Sequence, residues 1–236
     1  MSIIYVIRHA QASFGEQNYD RLSETGKCQA QILADHFAAL GLEFDAIYMG
    51  RQVRHEETLA PLLDRFSENR RPRPPVVKTD SFNEYDSETI IATLIPEMIR
   101  QDPTFETAVA GMFVDRRAFQ KVYGTLMEKW IRGEYASTDL ESWPLYFRRV
   151  ADGVREIMQD QGSGKTVALF TSGGPIAIWV QQALGLADHT TLTLTWQIMN
   201  TSVTRFKFSG DRLTLFGFND IGHLERTKDR RLITYR

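Results

Sequence analysis

Two short apolar runs near opposite ends of the chain limit its fold more than any other feature. Ser2-Ile3-Ile4-Tyr5-Val6-Ile7 and Thr166-Val167-Ala168-Leu169-Phe170-Thr171 are rich in β-branched residues and show no polar alternation. A strand apolar on both faces must be covered on both, which places it inside a parallel sheet enclosed by helices. The rest of the chain supplies those helices. One is expected from about Leu22 to Leu40, capped by Ser23, closed by Gly41, and with Ala30, Leu33, Phe37 and Leu40 at spacings of three and four. The short strand Ala46 to Met49 leads into a helix from about Gln52 to Phe66. The proline-rich stretch Asn69 to Pro75 reads as a surface connection before a third strand at Val76-Val77. From Ser87 to Gln161 the pattern is helical, interrupted at Pro96, Pro103 and Gly133. Its last helix starts near Pro144 and shows Tyr146, Val150, Val154 and Ile157 on one face. Gly173-Gly174-Pro175 opens a further helix that Gly185 ends. Val203 to Phe208 and Leu213 to Phe218 flank Ser209-Gly210-Asp211-Arg212 as a β-hairpin. The expectation is one α/β domain over residues 1–236: a mostly parallel sheet flanked by helices on both faces. Residues 87–161 would form a helical insertion over the carboxyl ends of the strands.

Composition narrows the class of protein. Hydrophobic residues make up 42% and charged residues 25%, as in ordinary globular proteins. With 28 basic and 30 acidic residues the net charge is −2, so no nucleic-acid partner is expected. No stretch reaches membrane-spanning length, and no membrane partner is expected. The opening apolar run is too short for a signal-peptide core and lacks a preceding basic segment. The single cysteine, Cys28, cannot form an intrachain disulfide and reads as a small apolar helix residue. These features lead to the expectation of a cytoplasmic protein, with its oligomeric state open.

In parallel sheets the ligand crevice lies beyond the carboxyl ends of the strands, so the residues just after each strand matter most. Arg8 and His9 follow the first. Arg51 and Arg54, three apart on a helix face, follow the second. Ser172-Gly173-Gly174-Pro175 follows the Thr166–Thr171 strand. This mixture suits a phosphate. Arginine forks give bidentate, charge-assisted hydrogen bonds, and a glycine-rich helix start offers free N–H groups. A neighbouring imidazole can attack phosphorus. No His-x-x-x-His, Cys-x-x-Cys or aspartate cluster suggests a metal, and no cofactor is expected.

Taken together these blocks resemble the histidine phosphatase superfamily, also called phosphoglycerate-mutase-like. Tyr5-Val6-Ile7-Arg8-His9-Ala10-Gln11 is similar to its Arg-His-Gly signature. Leu22-Ser23-Glu24-Thr25-Gly26-Lys27-Cys28-Gln29-Ala30 is similar to its Leu-Thr/Ser-x-x-Gly-x-x-Gln-Ala segment. Gly50 to Thr58 matches its Ser-x-x-x-Arg-x-x-x-Thr segment, with glycine at the serine. Phe82-Asn83-Glu84-Tyr85 and Asn200-Thr201-Ser202-Val203 match later blocks in the same order. The resemblance implies that His9 is the nucleophile that becomes phosphohistidine, and that Arg8 and Arg54 clamp the phosphoryl group. It implies that Glu84 protonates the leaving alcohol and then helps activate water, since an alkoxide leaves badly unless an acid meets it. Ser172 and Gly173 would complete the phosphate site, with Arg51 and His223 as further candidates.

Two positions depart from the pattern. Ala10 replaces the glycine of Arg-His-Gly, which is harmless unless that backbone needs a positive φ. Ser172 stands where the family has its second catalytic histidine, and serine supplies no charge against the phosphoryl oxygens. Ser172→His is therefore expected to raise kcat/KM. Of the other histidines, His223 follows the last expected strand and is a candidate to fold back toward the site, but a structural loop histidine is the favoured reading there. His36 is expected on a helix surface, His189 in a polar loop, and His55 points about 100° away from Arg54 around its helix. The function expected is a metal-independent phosphomonoester hydrolase acting on a small phosphorylated substrate. The alternative is a weakly active or inactive phosphatase-fold protein that binds a phosphorylated ligand or partner. A phosphoglycerate mutase is disfavoured, because Ser13-Phe14-Gly15-Glu16-Gln17-Asn18-Tyr19-Asp20 lacks the mutases' Asn-x-Phe-Thr-Gly-Trp stretch.

Overall fold

The computed structural model describes residues 1–13, 20–112 and 114–235, apart from the side chain of Arg116. Phe14 to Tyr19, on which the mutase comparison rests, lie outside the described residues. In chain order the elements are β1 (Ser2–Arg8), α1 (Glu24–Ala39), β2 (Ala46–Met49), α2 (Val53–Glu68) and β3 (Val76–Lys78). Four helices follow: α3 (Ser87–Gln101), α4 (Phe105–Met112), α5 (Arg116–Arg132) and α6 (Trp143–Gln161). Then come β4 (Thr166–Thr171), α7 (Gly173–Leu184), α8 (Asp188–Thr195), β5 (Val203–Ser209), β6 (Arg212–Asp220) and α9 (Gly222–Glu225). The strands form one six-stranded sheet in the order β3-β2-β4-β1-β5-β6. The first four in that order run parallel, and β5 is antiparallel to both its neighbours. This is the mostly parallel α/β sheet the sequence leads one to expect, with the hairpin as its reversed edge.

Each face of the sheet is covered by the helices whose apolar stripes fit it. Leu33, Ala34 and Phe37 of α1 and Leu59, Leu62 and Phe66 of α2 pack with Ile7, Ile47, Met49, Ala168 and Phe170. Ile4 and Val6 alternate to the other face, where Trp179 of α7 stacks near Phe206 of β5, ring centroids 5.4 Å apart. Among the described residues, no helix is long and apolar enough to cross a membrane.

The chain divides into two compact units, Met1–Glu84 with Val150–Arg236, and Tyr85–Arg149. In the second, the buried Trp130 ring lies 5.1 Å from Tyr85 and 5.4 Å from Trp143, and its indole N–H donates to the Glu141 carbonyl. Glu97, also buried there, pairs with Lys129 at 3.6 Å.

Some local expectations need correction. Pro96 sits inside α3 without ending it; one lost hydrogen bond is outweighed by an apolar face on which Ile90 and Leu94 are buried. The helix stops at Gln101, ahead of Pro103. Residues 188–195 form α8 rather than a loop, so the exposed His189 is helical. Its threonines hide the helix from sequence, because β-branched polar residues are weak helix formers. Here Thr191, Thr193 and Thr195 turn their hydroxyls back onto the carbonyls four residues earlier. Cys28 is on the exposed side of α1, not in its apolar stripe.

Candidate active site

Sheet register fixes the site before any side chain is considered. Arg8 at the end of β1 lies level with Thr171 at the end of β4, and Met49 at the end of β2 lies level with Phe170. His9, Ser172 and Gly50 therefore leave three adjacent lanes, spaced about 4.8 Å apart, at nearly the same height.

His9 is held from several sides. Its N–H donates to the Thr171 carbonyl at 2.8 Å, and its own carbonyl accepts from the Asn200 side-chain amide at 3.0 Å. Ring Nδ1 lies 2.7 Å from the Ala10 carbonyl oxygen. A carbonyl can only accept, so Nδ1 carries the proton and Nε2 keeps its lone pair. Burial pushes the His9 pKa well below its ordinary value, with help from Arg54, Arg8 and His55, while the Ala10 carbonyl opposes the shift. The imidazole is thus neutral around pH 7, the form that can attack an electrophile. Ala10 adopts no positive φ, so replacing the family's glycine there leaves the backbone unstrained.

The motif around Leu22 to Ala30 serves this segment. Ser23 caps α1 and its N–H donates to the Gln11 carbonyl, while the buried Gln29 accepts from the Gln11 N–H. A Cβ on Gly26 would stand 2.1 Å from the Gln11 oxygen, so only glycine lets α1 pass this close. Thr58 ties the other side: its hydroxyl accepts from the Ala10 N–H and donates to the Arg54 carbonyl.

The two arginines come from opposite directions. Arg8 donates through Nη1 to the Ile198 carbonyl. Arg54, in the first turn of α2 and almost fully buried, is ion-paired with Asp20 at 2.7 Å. The second oxygen of Asp20 accepts from the Val53 N–H, so one carboxylate fixes both the helix start and its guanidinium. Asp20 was not among the residues singled out from sequence, where a lone acid before a helix carries no signal.

At the β4 exit, Gly173 is closely packed: a Cβ there would come within 3.2 Å of the Thr195 carbonyl oxygen. The Gly174 N–H donates to a carboxylate oxygen of Glu84 at 3.0 Å. Glu84 reaches this helix start because the Gln52 side chain accepts from its N–H and Thr171 donates to the preceding Phe82 carbonyl. His9, Arg8, Arg54, Glu84, Ser172 and Gly173 are thus brought to one end of the sheet.

Arg51 and His223 are not part of this cluster. Arg51 is exposed and bonded to Asp80. His223 is buried against His36, ring centroids 5.6 Å apart, and its Nε2 lies 3.0 Å from the Thr201 hydroxyl. That hydroxyl already donates to the Asn200 carbonyl, so His223 must donate to it. The Thr201 N–H in turn donates to the Arg8 carbonyl. His223 therefore braces the turn behind Arg8 and His9. Burial and the neighbouring His36 lower its pKa to about 4. His36, stacked on it, is half-buried rather than on the open surface.

The histidine that does approach is His55. It is fully buried, its Nε2 lies 2.8 Å from the Ser172 hydroxyl, and its ring centroid is 5.8 Å from that of His9. A 100° step separates it from Arg54 on the helical wheel, but α2 meets the site at its first turn, where neighbouring positions both reach inward. Ser172 is equally buried, and the room a histidine at 172 would need is already taken by His55. The geometry thus reverses the expectation for Ser172→His: alone, it crowds the site. Among the described residues, no group of three or more His, Cys, Asp or Glu is arranged to hold a metal.

Known proteins agree with this architecture. The sequence matches the histidine phosphatase superfamily (branch 1) over residues 4–118 and 98–221. No curated protein matches the chain. Among solved structures, YhfR from Bacillus stearothermophilus aligns with a TM-score of 0.64 at 20% identity, covering 95% of this chain and all (100%) of that one. A phosphoglycerate mutase from Bacillus anthracis aligns at 0.66 and 16% identity, covering 97% of each chain. A phosphoserine phosphatase from Entamoeba histolytica, in complex with 3-phosphoglyceric acid, aligns at 0.64 and 18% identity, covering 95% of this chain and 100% of its own. At such identities the structural likeness speaks for the fold, while the sequence match extends over most of the chain. The chain belongs to branch 1 of the histidine phosphatase superfamily.

Proposed function

We propose that the protein is a phosphomonoester hydrolase, metal-independent and acting on a small phosphorylated substrate through a phosphohistidine on His9. The observation that carries this reading is the state of the His9 ring: neutral, with Nδ1 engaged by Ala10, beside two arginines. Nε2 attacks phosphorus, the N–P bond forms as the ester P–O bond breaks, and the leaving oxygen takes a proton from Glu84. Water then attacks the phosphohistidine, the N–P bond breaks, and Glu84 takes the proton back. Arg8, Arg54 and the amides at the start of α7 balance the charge of the transferring group. Ser172 holds the place of the family's second catalytic histidine in this scheme. Phosphatase-named neighbours acting on phosphoserine and glucosyl-3-phosphoglycerate support a phosphorylated small molecule as substrate.

The test is a quench without acid during turnover of a labelled phosphomonoester. Phosphate should be trapped on His9 as a phosphoramidate, labile to acid and stable to base. Label on another residue overturns the assignment. Label that passes to a second hydroxyl compound rather than water favours the mutase instead, a reading kept by the mutase-named neighbour. Label absent altogether, with phosphate bound, favours a binding protein.

The acid is tested separately. Glu84→Gln is expected to slow release of alkyl alcohols by about 10²-fold or more, and of aryl oxides far less, because only the poor leaving group needs the proton. Equal slowing of both substrate classes would show that Glu84 positions something rather than protonating it.

A further inference from the structure

We propose that His55 is a positioning residue of the phosphoryl site, acting through Ser172 as a buried imidazole–hydroxyl pair beside His9. The assignment rests on the phosphatase reading above.

Three observations meet at this pair. Its seat is built by the sequence at two strand exits. A Cβ at Gly50 would lie 2.5 Å from His55 Nδ1, 2.7 Å from Cε1 and 2.7 Å from the Phe82 carbonyl oxygen, so a side chain at 50 would displace the ring or the Phe82 backbone. At 172 the residue is small, and its hydroxyl stands 2.8 Å from Nε2. Glycine, histidine and serine at these positions are therefore sterically linked. Second, the pair is placed for function. The His55 ring is 5.8 Å from the His9 ring, and His55 adjoins Arg54 in the chain. Third, a fully buried imidazole loses its hydration and needs a partner in return. Nδ1 faces the Gly50 backbone, which holds the ring from that side, and Nε2 meets the Ser172 hydroxyl as its side-chain partner.

Ser172 makes no capping bond of its own helix, although serine at the first position of a helix usually does. Its hydroxyl is committed to His55 instead. The imidazole thereby decides where the hydroxyl proton points. With Nε2 donating, the Ser172 proton is directed away from the ring, available to a phosphoryl oxygen. With Nε2 accepting, it is withdrawn. A structural tie between α2 and α7 would not need the closeness to His9.

The test uses two variants of the full chain, with Ser172→Ala as the reference. His55→Leu keeps most of the side-chain volume and removes the hydrogen bond. The exchange His55→Ser with Ser172→His returns one imidazole and one hydroxyl from the opposite elements. With p-nitrophenyl phosphate, His55→Leu is expected to lose about 10²-fold in kcat with KM within about 3-fold, comparable to removal of one preorganised donor. The exchange variant should recover at least 10-fold of that loss, on the order of one restored donor. Melting temperatures confirm that each variant is folded, and if His55→Leu fails to fold the exchange variant alone decides. A folded His55→Leu protein with undiminished kcat overturns the assignment, as does a folded exchange variant no faster than Ser172→Ala. A wild-type protein inert towards every phosphomonoester overturns instead the phosphatase reading on which the assignment rests.

Discussion

His9→Ala is expected to lower kcat/KM for an aryl phosphate by about 10⁴-fold or more, since loss of a nucleophile elsewhere costs at least that much. The remaining arginines and helix N–H groups can still bind phosphate, so KM should change far less than kcat. The substitution should leave the fold standing. His9 is tied to its neighbours mainly through its backbone, which accepts from Asn200 and donates to Thr171 irrespective of the side chain. His9→Asn is a useful companion, because its amide can still meet the Ala10 carbonyl while offering no nucleophilic nitrogen. Both variants should be folded, should bind inorganic phosphate and should be equally dead. A loss of less than tenfold in either, with the protein folded, would move the nucleophile elsewhere.

Acid should destabilise the protein at a pH where most proteins are still near their optimum. His9, His55 and His223 all have pKa values below the ordinary 6.5, chiefly from burial; for His223 the value is about 4. Each stays neutral in the folded chain while the unfolded chain takes up a proton as pH falls through 6.5. Stability is therefore fully present above the unfolded value and declines below it. For His223 the decline continues to about pH 4, where the folded form protonates as well. Each such group contributes a slope approaching about 1.4 kcal/mol per pH unit. Together they remove a substantial share of a typical stability of about 5–15 kcal/mol as the pH falls below 6.5. The depressed aspartates, such as Asp45 and Asp229, act only below about pH 4 and do not enter this window. Urea midpoints at pH 7.5, 6.5 and 5.5 measure the effect, and a flat series would contradict it. His223→Gln should shallow the slope, because one of the titrating groups is gone and His36, whose pKa is also lowered, loses its stacked neighbour.

Much of this protein was legible in its sequence because the informative residues are local. The apolar runs of β1 and β4 and the charged or glycine-rich residues just after them are adjacent in the chain, so strand and exit are read together. The sheet register then sets Arg8, His9 and Ser172 side by side. What escaped notice depends on distance. Asp20 matters because it reaches both Arg54 and the Val53 N–H, a relation no pattern around Asp20 reveals. His55 was set aside by counting angles on an isolated helix, a rule that fails at a first turn pointing end-on into a site. The better signal was Gly50, since a glycine in place of a side chain marks room made for something else. His223, favoured from sequence as a structural loop histidine, is turned toward Thr201 and acts on the site only at one remove.

The position of β1 has a consequence for how the molecule comes into being. The first strand made lies in the interior of the sheet, where Ile4 pairs with Val167 on one side and with Phe206 on the other. Both partners are synthesised only in the last third of the chain. Pairings this remote in sequence close slowly, because the entropy of a long loop must be overcome before any contact rewards it. On a ribosome, the apolar segment Ile3 to Ile7 lacks both its partner strands until β4 has emerged, and one of them until β5 has. No amino-terminal fragment ending before Phe208 can complete the centre of the sheet, although such a fragment already contains His9, Arg54 and Glu84. Catalytic competence should therefore arrive late and all at once, with the closing of the hairpin strand against β1.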